Sequence, residues 1–215
     1  MYNLGEQFTF DYSKAIANKE NIIQGDKYRF TVLSERLIRM EYSEEGFFEN
    51  RPTELVWYRN MPPVKFEKSE NSKYLQIKTK YFELNYVKNK SFAGSKLNPT
   101  ANLNVKLLNT DRVWYYNHPE VRNYGAPSFS LDDNVGDPKL QKSLYSVDGF
   151  VSIDDSNTNV FTESGVLEKK ESNSKDIYLF MYLKDYPEYK KFRIDAVSVL
   201  LKPEIKIEHL KNVSL

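Results

Sequence analysis

Apolar and polar residues alternate along several short segments of the chain, with the period of two that is typical of β-strands. In residues 27–34, Tyr28, Phe30 and Val32 alternate with polar side chains. A similar segment, 37–43, begins only two residues later, and this spacing predicts a tight hairpin. Further strands are predicted at 54–59, 74–79, 81–87, 103–108, 112–116, 150–153 and 176–183.

Many short strands with turn residues between them predict a mostly-β protein, an antiparallel β-sandwich. One helix is expected at the C-terminal end, over 187–200, because Asp185 can cap it and apolar residues recur at helical spacing up to Pro203. The predicted organisation has three parts. They are a lead-in at 1–26, a β-sandwich domain at 27–186, and a helix and tail at 187–215.

Composition and charge exclude several classes of function. The chain has 215 residues, 40% of them hydrophobic and 28% charged, as in ordinary globular proteins. The formal net charge of +1 gives no bulk attraction to nucleic acid or to an anionic membrane, so neither is an expected partner. No cysteine is present, and no uncharged apolar segment approaches the roughly 20 residues of a membrane span. With no signal sequence evident at the start, a cytoplasmic location is expected.

Little in the sequence indicates a metal or cofactor site, and none is expected. The two histidines, His118 and His209, are far apart and lack partners at the spacing of metal ligands. Residues 132–137, Asp-Asp-Asn-Val-Gly-Asp, carry the oxygen ligands that calcium prefers, but their spacing departs from the EF-hand loop. A polar turn is the better interpretation. This turn belongs to a long segment without clear periodicity, 115–145, and a loop of this length is typically functional or disordered.

Asp154 and Asp155 are the one pair of carboxylates that invites a catalytic hypothesis. They end the predicted strand at 150–153 and precede Ser156. Adjacent residues of a strand point to opposite faces, so the two carboxyl groups are not expected to converge on one substrate atom. A structural role at the end of a strand is therefore favoured.

A series of motifs resembles the N-terminal domain of glycoside hydrolase family 31, the α-glucosidase and α-xylosidase family. The matching segments follow the family's order. They are Arg-Phe-Thr-Val-Leu-Ser-Glu-Arg-Leu-Ile-Arg-Met-Glu-Tyr-Ser at 29–43, Phe-Glu-Asn-Arg-Pro-Thr at 48–53, Arg-Asn at 59–60, Asn-Tyr-Gly at 123–125 with Ser-Leu-Asp at 130–132, Leu-Tyr-Ser-Val-Asp-Gly-Phe at 144–150 with Asp-Asp-Ser at 154–156, and Asp-Ile-Tyr-Leu-Phe at 176–180 with Asp-Tyr at 185–186.

The sequence departs from the family pattern at three positions within these motifs. Val147 stands where the family has arginine, Phe150 where it has tryptophan, and Ala126 where it has the second glycine of its loop. Beyond Phe192 the resemblance ends, and no sequence like the family's nucleophile motif occurs.

The resemblance implies a galactose-mutarotase-like sandwich that ends before the family's catalytic (β/α)8 barrel. The implied function is that of a non-catalytic module that shapes the substrate pocket of a barrel absent from this chain. No catalytic residue is expected, since the resemblance makes Asp154 and Asp155 structural. Because the corresponding domain of the family places a loop over the barrel mouth, the candidate substrate-binding residues are Phe129, Asp132 and Asp133.

Two alternatives remain beside this interpretation. One is a free-standing carbohydrate-binding β-sandwich, and the other is a mutarotase-like sugar epimerase, for which His118 is the best-placed acid or base. The expected partner is a carbohydrate, an α-glucoside, only in the context of a barrel. A homo-oligomer is also expected, through the surface that a barrel would cover.

Overall fold

The computed structural model describes residues 11–95, 101–127, 140–171 and 174–182, and the backbone of strands at 196–200 and 206–210. The chain divides into two compact units, residues 1–182 and residues 183–215. Within the described residues, no helix is both long enough and apolar enough to cross a membrane.

The first unit is mostly β, as predicted, and it contains two five-stranded antiparallel sheets. The first sheet has the order β1-β2-β3-β14-β11, and its strands are β1 (Ile22–Gln24), β2 (Tyr28–Ser34), β3 (Leu37–Tyr42), β14 (Lys175–Met181) and β11 (Phe150–Asp154). The second sheet has the order β4-β5-β6-β7-β8, and its strands are β4 (Glu67–Glu70), β5 (Tyr74–Lys78), β6 (Phe82–Val87), β7 (Leu103–Leu107) and β8 (Val113–Tyr115).

Smaller elements complete the first unit. Two short hairpins pair β9 (Ala126–Pro127) with β10 (Leu140–Gln141), and β12 (Val160–Phe161) with β13 (Leu167–Glu168). Two 3-10 helices, Tyr12–Ala15 and Lys19–Asn21, precede β1. Their caps are Asp11 and Asn18, whose side chains accept hydrogen bonds from backbone N–H groups two residues later. The first sheet therefore begins at β1, a few residues before the predicted start of the sandwich at 27.

The core lies between the two sheets and is built from one face of each. Phe30 and Met40 of the first sheet belong to the same buried cluster as Ile77 and Leu84 of the second. Aromatic contacts cross the interface, for example Phe30 against Tyr86 with ring centroids 5.2 Å apart. The period-two pattern thus placed the apolar face of these strands correctly.

The outer faces of the two sheets differ in their surroundings. On the second sheet the outer face is a polar ladder, in which the Gln76 amide donates to Asn85 Oδ1 at 3.0 Å. On the first sheet the outer face is buried. Arg29 and Thr31 of β2 are therefore buried like the core residues that alternate with them along the strand. The cover of that outer face is a segment without regular structure, residues 47–60, which we call the covering segment.

Two predicted elements are wrong in part. No strand forms at 54–59; only Thr53 makes an isolated bridge, to Val160, and the following residues belong to the covering segment. The predicted helix at 187–200 is wrong over Ala196–Leu200, which is strand β15 and pairs antiparallel with β16 (Lys206–Leu210). Residues 187–195 lie outside the described part. The sequence Ala-Val-Ser-Val-Leu alternates β-branched and small residues, and this preference outweighed the helical spacing.

Candidate functional site

The buried outer face of the first sheet carries a group of charged side chains that we call the buried ionic cluster. Its members come from β2, β3, β14 and the segments that follow β11 and β13, and all are charged residues with almost inaccessible side chains. They are Arg29, Arg39, Glu41, Asp155, Lys170 and Asp176. They meet because alternate residues of neighbouring strands share a face of the sheet.

Two bidentate pairs form the centre of the cluster. Arg39 donates from Nε to Asp176 Oδ1 at 2.9 Å and from Nη2 to Oδ2 at 2.7 Å. Arg29 donates from Nε to Glu41 Oε2 at 2.6 Å and from Nη2 to Oε1 at 2.8 Å. Both guanidinium groups also donate to the backbone carbonyl of Glu49 in the covering segment. Paired and hydrogen-bonded in this way, the charges are compatible with burial.

Burial and the neighbouring charges shift the pKa values in this cluster in different directions. Burial opposes the ionisation of Asp176, but the charges of Arg39 and Lys170 outweigh it and hold the pKa of this carboxyl well below its ordinary value of 3.8. Burial also opposes the charge on Arg39, yet Asp176 and Glu41 raise the pKa of its guanidinium further. For Asp155, burial and the nearby charge of Asp176 together raise the pKa.

The covering segment is fastened to this face near its C-terminal end by the side chain of Arg59. Arg59 is 1% exposed and donates from Nε to the Tyr178 hydroxyl at 2.7 Å. Its Nη1 donates to the carbonyls of Ala15, Asn50 and Arg51 at 3.1–3.3 Å. Arg59 therefore joins the covering segment, the first 3-10 helix and β14.

Asp154 and Asp155 diverge, as the alternation of strand residues predicts. Asp155 is buried, and its carboxylate accepts from the hydroxyls of Thr53, at 2.9 Å, and Thr158. Asp154 is exposed and accepts from the backbone N–H of Ser156 at 3.0 Å. The pair is not placed to act on one substrate atom, and Asp155 serves the contact between the covering segment and the sheet.

Within the long segment 115–145, residues 117–142 form the loop predicted to approach a substrate, and a second polar group closes the base of this loop. Glu120, buried and with a φ of +44°, lies 2.7 Å from the Lys142 ammonium and accepts from the Ser152 N–H of β11 at 3.0 Å. The Glu120 N–H in turn donates to His118 Nδ1 at 3.0 Å. Both ends of the loop are thus fixed to β11.

His118 is placed as a packing residue. Its ring lies edge-on to Tyr115 and Phe150, with centroids 4.8 Å and 5.1 Å away. Burial lowers the pKa of His118, which favours the neutral ring. A ring with its Nδ1 occupied and two aromatic rings in contact with it is poorly placed for acid–base chemistry on a sugar.

The candidate substrate-binding residues Phe129, Asp132 and Asp133 lie outside the described residues, as does the rest of the acidic segment at 132–137. In the part of the chain that the structure describes, no group of three or more histidine, aspartate or glutamate side chains is arranged to hold a metal ion. His209 lies on β16, of whose side chains nothing is described.

Comparison of the whole chain with known proteins gives no match to any protein-family model or to any curated protein.

The opposite pKa shifts of Asp176 and Asp155 predict how stability depends on pH. The lowered pKa of Asp176 contributes stability above about pH 4, which is lost as the pH falls towards the folded-state value. The raised pKa of Asp155 has the opposite sign, contributing stability at low pH that is lost as the pH rises. Because the ion pairs of Asp176 are the more numerous, we expect net acid destabilisation.

Urea unfolding of the wild type and of Asp176→Asn at pH 7, 5 and 3 would test this expectation. The wild type should lose more free energy of unfolding between pH 5 and pH 3 than the variant, which has no carboxyl at this position. Equal losses would show that Asp176 is not the group responsible.

Proposed function

We propose that this chain is the non-catalytic N-terminal β-sandwich module of an α-glucosidase-like enzyme of glycoside hydrolase family 31. In this proposal the sandwich shapes the substrate pocket of a catalytic barrel that these 215 residues do not contain. Its sandwich is then of the galactose-mutarotase-like type. The cytoplasmic location expected from the sequence belongs to the same proposal.

One observation carries the proposal: residues from separate motifs of the resemblance meet at one place in the fold. Thr53 of the second motif bonds Asp155 of the Asp-Asp-Ser motif. Likewise Arg39 of the first motif pairs with Asp176 of the last, 137 residues away in sequence. Motifs so far apart in sequence are expected to touch if together they form the framework of one domain. If the sequence matches had arisen by chance, there would be no reason for such contacts.

The long loop has the anchoring that a pocket-shaping loop requires. The Asn123 side chain accepts from the N–H groups of Ser143 and Gly125, both at 2.9 Å, and donates to the Ser143 carbonyl at 2.8 Å. Gly125 has a φ of +73°, which glycine adopts without strain. Asn123 and Gly125 belong to the Asn-Tyr-Gly motif. This motif therefore holds the two ends of the loop together and supports binding groups farther along it.

Exposed apolar side chains surround the base of the loop and give the proposed barrel a surface to cover. They are Val121, Tyr124, Leu140, Leu144 and Tyr145, each more than half exposed. Large exposed apolar patches are typical of interaction sites. In the absence of a barrel, the same surface would favour association between copies of this chain, which is the homo-oligomer expected from the sequence.

The geometry of the described residues gives least support to the epimerase alternative, because His118 is packed by aromatic rings. A free-standing carbohydrate-binding sandwich shares the same fold, and it differs from the module in not needing a barrel. No hydrolysis is expected from this chain alone, since a retaining glycosidase needs two carboxyl groups about 5–5.5 Å apart across the scissile bond.

A fusion of residues 1–192 to the barrel of a related α-glucosidase, in place of its own N-terminal domain, would test the module. We expect the fusion to hydrolyse an aryl α-glucoside, whereas the chain alone does not. Asp132→Ala and Asp133→Ala in the fusion should raise the Michaelis constant or lower the turnover number several-fold, because a lost hydrogen bond to a substrate hydroxyl costs about 1 kcal/mol.

A matched control is Asp111→Ala, which removes an exposed aspartate from the β7–β8 turn and should leave both constants unchanged. If a folded fusion is inactive, the module assignment fails. If it is active but insensitive to both loop substitutions, the loop has no contact with substrate.

A further inference from the structure

A small polar pocket opens between the edges of the two sheets, away from the buried ionic cluster. It lies where β11, the edge strand of the first sheet, ends near the residue that follows β8, the edge strand of the second. We call it the Tyr116 pocket. Its volume is about 300 Å³ and its walls are Tyr116, Asp154, Ser156, Asn157, Ser174, Lys175 and Ile177.

The pocket is held by hydrogen bonds of the turn that follows β11. Asp154 Oδ1 accepts from the N–H of Ser156 at 3.0 Å, and the Ser156 hydroxyl accepts from the N–H of Asp176 at 2.9 Å. Between them, Asp155 is buried against Thr53 and Thr158. The turn is thus fixed to β14 and to the covering segment, and the walls of the pocket are preorganised.

Three side chains in these walls keep unused hydrogen-bonding capacity. Within the described part of the chain, Asp154 Oδ2 accepts no hydrogen bond, and the exposed Asn157 amide makes none. The Lys175 ammonium uses one of its three donors on the Phe92 carbonyl at 2.5 Å and lies 4.7 Å from the centroid of the Tyr116 ring. The residues that carry an acceptor, an amide and a cation therefore line one small space.

This set of groups selects the class of ligand. One carboxylate and one ammonium balance in charge, which disfavours phosphate or a dicarboxylate. Only Ile177 and the Tyr116 ring supply apolar area, which is too little for an apolar ligand. A hydroxyl both donates and accepts, so neighbouring hydroxyls match donors and acceptors placed side by side. The volume, at the lower end of the roughly 300–1,000 Å³ of ligand pockets, suits a single ring.

We propose that the Tyr116 pocket binds one ring of a neutral sugar or a related polyol. Asp154 and Asn157 accept from its hydroxyls, and Lys175 and Asn157 donate to them. This site uses no residue of the loop at 117–142 and needs no barrel, so it goes beyond the function proposed above and stands or fails separately from it.

The test is a titration of the ¹⁵N-labelled whole chain, followed by amide chemical shifts, with glucose, xylose and galactose up to about 100 mM. At least one sugar should cause saturable shifts confined to residues 116, 154–157 and 174–177, with a dissociation constant on the order of 1–10 mM, as small neutral ligands typically show. Glycine and inorganic phosphate, titrated in parallel, should bind more weakly.

Two substitutions test the assigned groups. Asp154→Asn keeps an oxygen for the Ser156 N–H but replaces the free acceptor with a donor, and Lys175→Met removes the ammonium while keeping the length of the side chain. Each should weaken binding about fivefold or more, the effect of losing one hydrogen bond. Lys78→Met, which removes an exposed lysine from β5 of the second sheet, is the control and should leave binding unchanged.

Circular dichroism should show that all three variants keep the sheet spectrum of the wild type. No saturable shift with any sugar, shifts located elsewhere, or unchanged binding in both folded pocket variants would overturn the proposal. Tighter binding of glycine or phosphate than of every sugar would overturn the ligand class.

Discussion

Replacing Asp176 with alanine is expected to lower the free energy of unfolding by about 3–5 kcal/mol, the loss typical of removing one partner from a buried ion pair. Asp176 is 1% exposed, and its carboxylate accepts two bonds from Arg39 and lies 3.0 Å from Lys170. Without it, two buried cations lose their main counter-ion. Urea unfolding at pH 7, followed by circular dichroism, would measure the change in midpoint and slope.

Two controls separate this effect from a general loss of charge. Glu70→Ala breaks surface ion pairs with Lys68 and Lys88, and the loss of such pairs should leave the unfolding midpoint almost unchanged. The double substitution Arg39→Met with Asp176→Leu removes both charges of the bidentate pair and should cost less than the sum of the two single changes. A loss of less than 1 kcal/mol in the Asp176 variant would show that water reaches the cluster.

The apolar faces of the strands could be predicted from sequence, but the cover of the polar face could not. Alternation in 27–34 and 37–43 predicted β2 and β3 and their hairpin, and the structure confirms both. The same alternation suggests that Arg29 and Arg39 point to solvent, whereas both are buried. The covering segment lies over them. It has no regular structure, so its contacts with the strands leave no periodic pattern in the sequence.

The two incorrect elements have a common cause. In both, contacts with residues outside the segment outweighed the pattern of side chains within it. Residues 54–59 have strand-forming side chains, yet Arg59 binds Tyr178 and fixes an irregular path. At 196–200, helical spacing predicted a helix, but β16 offers a full antiparallel register from Leu210 to Lys206. A strand forms where a partner is present, and a partner cannot be inferred from one segment alone.

The buried ionic cluster was not predicted from the sequence. Asp155 and Asp176 both lie in motifs of the resemblance, which gave Asp155 a structural role, but spacing alone could not show that residues 21 positions apart would share Lys170. Asp154 and Asn157 were not predicted as pocket residues, because the pocket also needs Tyr116, the residue that follows β8 of the other sheet, to form its wall. A signal was present in the turn residues that follow β11, since Ser156 and Asn157 favour a tight turn with exposed side chains.

A second large effect is expected at Arg59, which the resemblance included only as part of a dipeptide. Arg59→Met should lower the free energy of unfolding by about 2–4 kcal/mol, because charge-assisted bonds are lost and buried acceptors are left without a donor. The expected damage is local. The N–H groups of Arg59 and Asn60, which donate to the Lys14 carbonyl at 2.8 Å and 3.0 Å, should lose protection from hydrogen exchange.

Exchange measured by residue distinguishes this local opening from global destabilisation. In the Arg59 variant, amides of the covering segment should exchange through the local opening, and those of β6 in the second sheet should exchange only through global unfolding. Arg122→Met is the control. This arginine lies outside the covering segment, its side chain is 53% exposed and it pairs with Asp148 at 3.0 Å, so its loss should leave exchange in the covering segment unchanged.

Arg59→Lys tests whether geometry or charge is decisive. The guanidinium of Arg59 reaches Tyr178 from Nε and three carbonyls from Nη1, and a single ammonium cannot donate in both directions from one position. We therefore expect lysine to recover only a minor part of the lost stability and to leave the covering segment open to exchange. Recovery to the wild-type level would mean that a positive charge under this segment is sufficient, and that the fork of hydrogen bonds is not what closes it over the sheet.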